Sequence, residues 1–418
     1  MTIQASLAKY PATLLMALLV SAADCSRPSQ SEDLQPTLIL ISLDGFRWDY
    51  QSMTETPYLD RLAQSGVRAK GLIPVFPSKT FPSHYSIVTG LHPENHGILA
   101  NNMYDPRWDV EFNLRLREVQ AQGRWWEGEP IWVTAIKAGK KAASMFWPGS
   151  EAAIQGIRPT YWKEFDSEFP YEKRIEQLLA WLELPSQQRP VFISTYFSIT
   201  DSRGHGFGPG SEPLLEAVRQ VDALMGLLIE GLEERRLFSQ VHIMVVSDHG
   251  MADTRPDRVV YIDDYLDLDR LRVVDLNPVA QLLPRADYLE EAFEALQGVP
   301  HLTAYRKEEM PARFHLSKHP RIPPLIALAD EGWTLARRDR PSRRSFPLGN
   351  HGYDNALQSM QGLFIASGPG LKEGLVAEPV SNLHIYPLMC HILGLQPAPN
   401  DGDLEAVRYY LKPDRSEP

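Results

Sequence analysis

The chain has 418 residues, 43% hydrophobic and 23% charged, the proportions of a soluble globular protein with enough apolar matter for a sizeable core. Its formal net charge of −11 argues against a basic nucleic-acid-binding surface, though not against an anionic substrate, because bound divalent cations can dominate a local field. With two cysteines, Cys25 and Cys390, no disulfide framework is expected.

Residues 1–23 read as an export signal: Lys9 gives a positive start, Ala12 to Val20 an apolar stretch, and Ser21-Ala22-Ala23 a small-residue cleavage site. The stretch falls short of the ~20 apolar residues of a spanning helix, so no stable membrane span is expected. Lipidation at Cys25 is the alternative, although Asp24 stands where a small residue usually precedes such a cysteine. Either way the expected location is periplasmic or extracellular. Residues 24–36 read as a linker, 37–400 as one α/β body and 401–418 as a C-terminal tail.

Within the body, the apolar run Leu38 to Leu43 ends on Asp44-Gly45, the pattern of a strand buried on both faces. VFISTYFSITD from Val191 ends on Asp201, and VHIMVVSDHG from Val241 ends on Asp248 and His249. Further strands are predicted within 360–370 and 140–149. Helical patterns alternate with these runs: Pro57 to Gly66, an amphipathic stretch through Leu214, Val218, Val221, Leu228 and Leu232, and Asn382 to Leu393. The alternation predicts an α/β fold with a mainly parallel central sheet flanked by helices. The stretch at about 253–344 breaks the rhythm and reads as a small α+β insertion.

Asp44, Asp201 and Asp248 each fall at or just beyond a strand's C-terminal end, the edge where open parallel sheets bind ligands. One such aspartate is usually a turn or cap residue. Three, joined by His205 four residues after Asp201, by His249 and by His351 in NHGYD, weaken that reading. Mixed carboxylate and imidazole donors suit zinc better than calcium or magnesium, and two such ions can clamp an in-line displacement at phosphorus. Spacing alone does not assign ligands to ions. Thr80 stands just ahead of a predicted helix start at Pro82. It reads either as a plain N-cap or as a hydroxyl nucleophile activated by a base or metal, with helix-start N–H groups to receive a phosphoryl group.

The stretch Thr80 to Pro106, TFPSHYSIVTGLHPENHGILANNMYDP, closely resembles the nucleotide pyrophosphatase/phosphodiesterase family of the alkaline phosphatase superfamily. LISLDGFRWDY, ITDSRGHG, VVSDHGM and NHGYDN match its other landmarks in order, over roughly residues 37–395. The chain resembles the compact bacterial members of that family. The resemblance implies an alkaline phosphatase-like fold and two Zn2+ ions, the first on Asp201, His205 and His351, the second on Asp44, Thr80, Asp248 and His249. It implies Thr80 as a nucleophile that becomes phosphorylated, and Asn101 as a donor to a phosphate oxygen, with Asn102 the choice if the register shifts by one. Phe81 and Tyr196 match aromatics that stack on a base, with core packing the alternative for Tyr196. No ligand role falls on His84, His92 or His96, read as helix-face or loop residues, or on His301, His315 and His319 in the insertion.

The expected activity is hydrolysis of nucleotide phosphodiester and pyrophosphate bonds, a triphosphate giving the monophosphate and pyrophosphate. A choline or lysophospholipid head-group phosphodiesterase shares these residues. A non-catalytic nucleotide or phosphate binding protein is the rival from another class. The expected partner is a small molecule, not a nucleic-acid polymer, and the oligomeric state stays open.

Overall fold

A strand apolar on both faces is stable only inside a sheet covered on both sides. The computed structural model, which describes residues 2, 34–338 and 346–413, places Leu38–Leu43 (β1) in that position, with all six residues buried. Gly66–Ile73 (β2), Ala142–Met145 (β3), Tyr161–Lys163 (β4), Phe192–Phe197 (β5) and His242–Val246 (β6) follow along the chain. The chain then leaves the sheet for Leu271–Asp275 (β7), Val279–Pro284 (β8), Leu302–Arg306 (β9) and Leu325–Ala329 (β10). It returns as Gly362–Ser367 (β11), Leu375–Ala377 (β12) and Val380–Ser381 (β13).

The central sheet runs β12-β2-β11-β6-β1-β5-β3-β4, with β13 also on β2. It is mixed. β1 pairs in parallel with β5 and β6, and β5 with β3, whereas β11 runs antiparallel to both of its neighbours. The registers Leu43↔Phe197 and Ser42↔Val246 bring the C-terminal ends of β5, β1 and β6 level. Any side chain just past those ends therefore shares one edge.

Helices cover both faces. Pro57–Gln64 (α1) and Thr80–Thr89 (α2) precede Ile199–Phe207 (α3) and Glu212–Glu234 (α4), and Leu289–Leu296 (α5) and Ile385–Leu393 (α6) come later. The three- and four-residue apolar spacing of α4 buries Leu214, Val218, Val221, Leu224, Leu228 and Leu232 along one stripe. Between β6 and β11, strands β7-β8-β10-β9 form a separate antiparallel sheet, against which α5 packs around a second apolar core. Of the stretch expected as a tail, the part up to residue 412 packs on the body: Val407 and Tyr410 are buried, and Lys412 N–H donates to Gly370 O.

The expected export signal and the linker up to residue 33, Cys25 included, lie outside the described residues, apart from residue 2. Among the described residues, no helix is long and apolar enough to cross a membrane.

Leu40, at the centre of β1, is completely buried. Leu40→Ala should lower stability by about 2–5 kcal/mol, the cost of lost burial plus an unfilled cavity, read as a reduced midpoint in urea denaturation. An unshifted midpoint would contradict the central place of β1.

Candidate active site

The three level strand ends deliver the acids. Asp44 follows β1 directly, Asp248 lies two residues past β6, and Asp201 sits in the first turn of α3, just after β5. His205 follows Asp201 by one helical turn, so this pair lies on one face of α3. Gly45 makes the close packing possible: its φ is +65°, and a Cβ there would stand 2.9 Å from Asp201 Cα. Gly45 N–H donates to Asp248 Oδ1 at 3.1 Å, which ties the first acid loop to the third.

Each imidazole is aimed by a main-chain carbonyl. His205 Nδ1 donates to Gly349 O at 2.8 Å, His249 Nδ1 to Gly250 O at 2.8 Å, and His351 Nδ1 to Ser78 O at 2.9 Å. A carbonyl only accepts, so Nδ1 carries the proton and Nε2 turns inward. That is the orientation of a metal-ligating histidine.

The Nε2 and carboxylate oxygens converge. His205 and His351 approach Asp201 Oδ1 at 3.3 and 3.6 Å, while His249 approaches Asp44 Oδ1 at 3.4 Å and Asp248 Oδ2 at 3.0 Å. Those three oxygens are buried and receive no hydrogen bond. Donors around a tetrahedral ion with bonds of about 2.0–2.1 Å stand roughly 3.3–3.4 Å apart, so the spacing fits cations at the centre of each group. Two sets of donors lie mutually within 4.8 Å, namely Asp201, His249 and His351, and Asp44, Asp248 and His249. His249 thus stands between them, and His205 joins the first through Asp201. The residues present fit divalent ions.

The electrostatics point the same way. Burial, with the charges of Asp248 and Asp201, holds the Asp44 carboxyl well above the usual range. Burial also works against ionised Asp201, but the neighbouring imidazoles, His205 foremost, bring it down to about 2. His205, likewise disfavoured as a cation by burial, is pushed up to about 9 by Asp201. Burial pushes Asp248 up, yet His249 and His84 pull it well below the ordinary value. Three carboxylates crowd one edge, and His205 and His249 are raised by them.

Thr80 is the first residue of α2 and Lys79 is the N-cap, so the helix begins two residues before the expected start. Thr80 Oγ1 lies 3.4 Å from His249 Nε2. Few N–H groups are free at this helix start. Phe81 N–H donates to Asn101 Oδ1 at 3.0 Å, Pro82 has none, and Ser83 N–H donates to Lys79 O. The helix start therefore keeps the Thr80 N–H, and the bond from Phe81 leaves the Asn101 amide nitrogen as a second donor. Asn102 turns the other way, donating to Asp275 Oδ1 at 2.9 Å.

Phe81 and Tyr196 line one cavity of about 250 Å³ that opens on Asp44, Thr80 and Asp201. The Tyr196 hydroxyl donates to Asp44 Oδ2 at 2.5 Å, so this side chain holds an acid as well as forming a wall. Sequence reasoning missed the other walls, Trp126, Phe146, Trp147 and Phe165, and the Arg117–Glu151 pair at 2.5 Å. No motif marks them. It also placed no role on His84, whose Nδ1 lies 2.8 Å from Thr80 O and 3.3 Å from Asp248 Oδ2. Its position four residues after Thr80, on the same helix face, was the available signal. In the insertion, His301 stacks on Trp333, His315 on His92, and His319 meets Glu127, while His96 bonds Ser86. Among the described residues, none of these joins a metal-competent group.

Comparison with known proteins adds the family. The family described as type I phosphodiesterase / nucleotide pyrophosphatase matches residues 38–354. Human ectonucleotide pyrophosphatase/phosphodiesterase family member 1 is 39% identical over 391 residues, which is 90% of this chain and 42% of the relative. Human family member 5 is 35% identical over 95% of this chain and 83% of its own length. The chain thus spans less than half of the long relatives it matches, human member 1 and bovine member 3, at 42% and 47% of their lengths. The structure of murine family member 5, an inactive threonine-to-alanine variant in complex with AMP, superimposes with a TM-score of 0.87 at 36% identity. That match covers 90% of this chain and 100% of the murine one. In sequence and in its mixed α/β fold, the chain belongs to the type I phosphodiesterase / nucleotide pyrophosphatase family of the alkaline phosphatase superfamily.

Proposed function

We propose that the protein is an exported hydrolase that cleaves nucleotide phosphodiester and pyrophosphate bonds, a triphosphate giving the monophosphate and pyrophosphate through a phosphothreonine at Thr80. One observation carries the reading. The Thr80 hydroxyl stands at a helix start, 3.4 Å from His249 Nε2, between three acids that each keep one buried oxygen without a donor and a cavity walled by aromatics.

Asp201, His205 and His351 would hold one ion, and Asp44, Thr80, Asp248 and His249 the other. When bound, two divalent cations, zinc by this donor set, lower the pKa of a coordinated hydroxyl and offset charge on the phosphorus oxygens. Thr80 Oγ1 gives up its proton to solvent and attacks phosphorus in line, and the bond to the leaving oxygen breaks, releasing the pyrophosphate or alcohol. A water oxygen then bonds phosphorus as the P–Oγ1 bond breaks, releasing the monophosphate and returning a proton to the Thr80 hydroxyl. The Asn101 amide nitrogen and the Thr80 N–H donate to the non-bridging oxygens as charge builds on them.

The cavity favours a nucleotide. Phe81, Trp147 and Phe165 give it flat apolar walls, and its distal acid, Glu151, is already engaged by Arg117 and by Phe165 N–H. A quaternary ammonium would find aromatic faces but no free carboxylate on that wall. AMP in the murine relative's complex agrees with a nucleotide occupant. Export rests on Lys9, the apolar run Ala12 to Val20 and the small residues after it.

Thr80→Ala should reduce turnover at least about 10³-fold while zinc content is retained; full activity in that variant would sink the assignment. The nitrophenyl ester of thymidine monophosphate should be hydrolysed faster than nitrophenyl phosphorylcholine, and the reverse ranking would favour the head-group reading. Chelation should abolish turnover and lower Tm by about 3 °C or more, both restored by zinc, since a ligand at 100 times its Kd adds about 2.7 kcal/mol. A zinc-replete protein without turnover on either ester would favour the binding-protein reading.

A further inference from the structure

One side chain of the insertion sheet, Asp275, reaches the neighbours of two active-site residues. Asp275 closes β7 next to a register shift between Val273 and Asp275, an irregularity of the kind that re-aims a side chain. Its carboxylate, 7% exposed, accepts from three donors: the ammonium of Lys79, the Asn102 side-chain amide at 2.9 Å, and Leu276 N–H at 3.0 Å. Lys79 is itself only 4% exposed.

The two side-chain donors are the immediate neighbours of the two groups placed on the phosphorus. Lys79 is the N-cap of α2 and is followed by Thr80; Asn102 follows Asn101. The Lys79 stem also runs beside Gly352, where an added Cβ would lie 3.1 Å from Lys79 Cε, and His351 precedes that glycine. Among the described residues, the hydrogen bond that links the Thr80 segment to Asn101 is the one from Phe81 N–H to Asn101 Oδ1. A single hydrogen bond is a pivot. The second tie, from Asp275 to both neighbours, turns the pivot into a clamp.

We propose that Asp275 is a positioning residue for the reaction: it locks the Thr80 hydroxyl and the Asn101 amide into one geometry from outside the catalytic sheet. The proposal rests on the reading of Thr80 as nucleophile and Asn101 as phosphate donor. A charge-assisted contact buried at this depth holds both partners far more tightly than an exposed pair, and a displacement of about 1 Å in a reacting group can cost about 10²-fold in rate.

The test compares Asp275→Asn, Asn102→Ala and the double variant Lys79→Met/Asp275→Leu, which removes both charges and so leaves no unpaired ion to unfold the site. Each is assayed on the nitrophenyl ester of thymidine monophosphate, with zinc content and AMP affinity measured alongside. The expected result is a kcat lowered about 10- to 100-fold in Asp275→Asn and in the double variant, and less in Asn102→Ala, with KM and AMP affinity within about threefold of the parent. A purely structural role would lower Tm or zinc content without splitting kcat from KM, and that outcome overturns the proposal. So does a kcat within twofold of the parent in the double variant. Thr80→Ala is run in parallel: turnover surviving there brings down the nucleophile reading itself, whereas an inactive Thr80→Ala beside fully active Asp275 variants overturns this proposal alone.

Discussion

Repulsion among Asp44, Asp201 and Asp248 is the constraint on which the site depends. Adjacent parallel strands in level register bring three carboxylates to one edge, Asp44 and Asp248 buried and Asp201 largely so, where the mutual energy of like charges is larger than in water. Burial and the other two acids push the Asp44 carboxyl well above its ordinary range, while Asp201 raises His205 and Asp248 raises His249 against their own burial. Those are the responses of a cage whose cations are supplied from outside. The same crowding explains why Gly45 has no side chain and why the Tyr196 hydroxyl is spent on an acid.

Much of this was legible in the sequence, for a physical reason. A strand buried on both faces needs an unbroken apolar run, so where the run stops, as at Asp44, marks the sheet edge to within a residue or two. The strand at Gly66–Ile73 escaped because GVRAKGLI mixes two glycines and two cations with its apolar residues, and its partners lie some 300 residues away at β11 and β12. The start of α2 was read two residues late because Pro82 suits a first helical turn, yet it occupies the third position. The cavity walls were invisible because Trp126, Trp147 and Phe165 come from loops and short elements with no shared period. Their meeting is a fact of tertiary packing.

The site also shows an order of support. The acids hang from strand ends, the imidazoles from main-chain carbonyls, and Thr80 from a helix held by the insertion through Lys79 and by His84 against the acid edge. Rigid elements carry the groups that must not move. The loops carry the walls, where an altered side chain changes what is accommodated more than whether chemistry occurs.

The carbonyls that hold the three imidazoles belong to Gly349, Gly250 and Ser78, three segments with no side-chain role in that contact. A shell oriented by the main chain persists when its centre is vacated, because nothing in it must refold to take an ion back. Such a shell discriminates poorly among first-row metals of similar radius, whose intrinsic affinities rise toward copper. For the ions proposed above, selection would then fall to supply: the composition of the surrounding solution, more than the shell itself, would set which element is loaded.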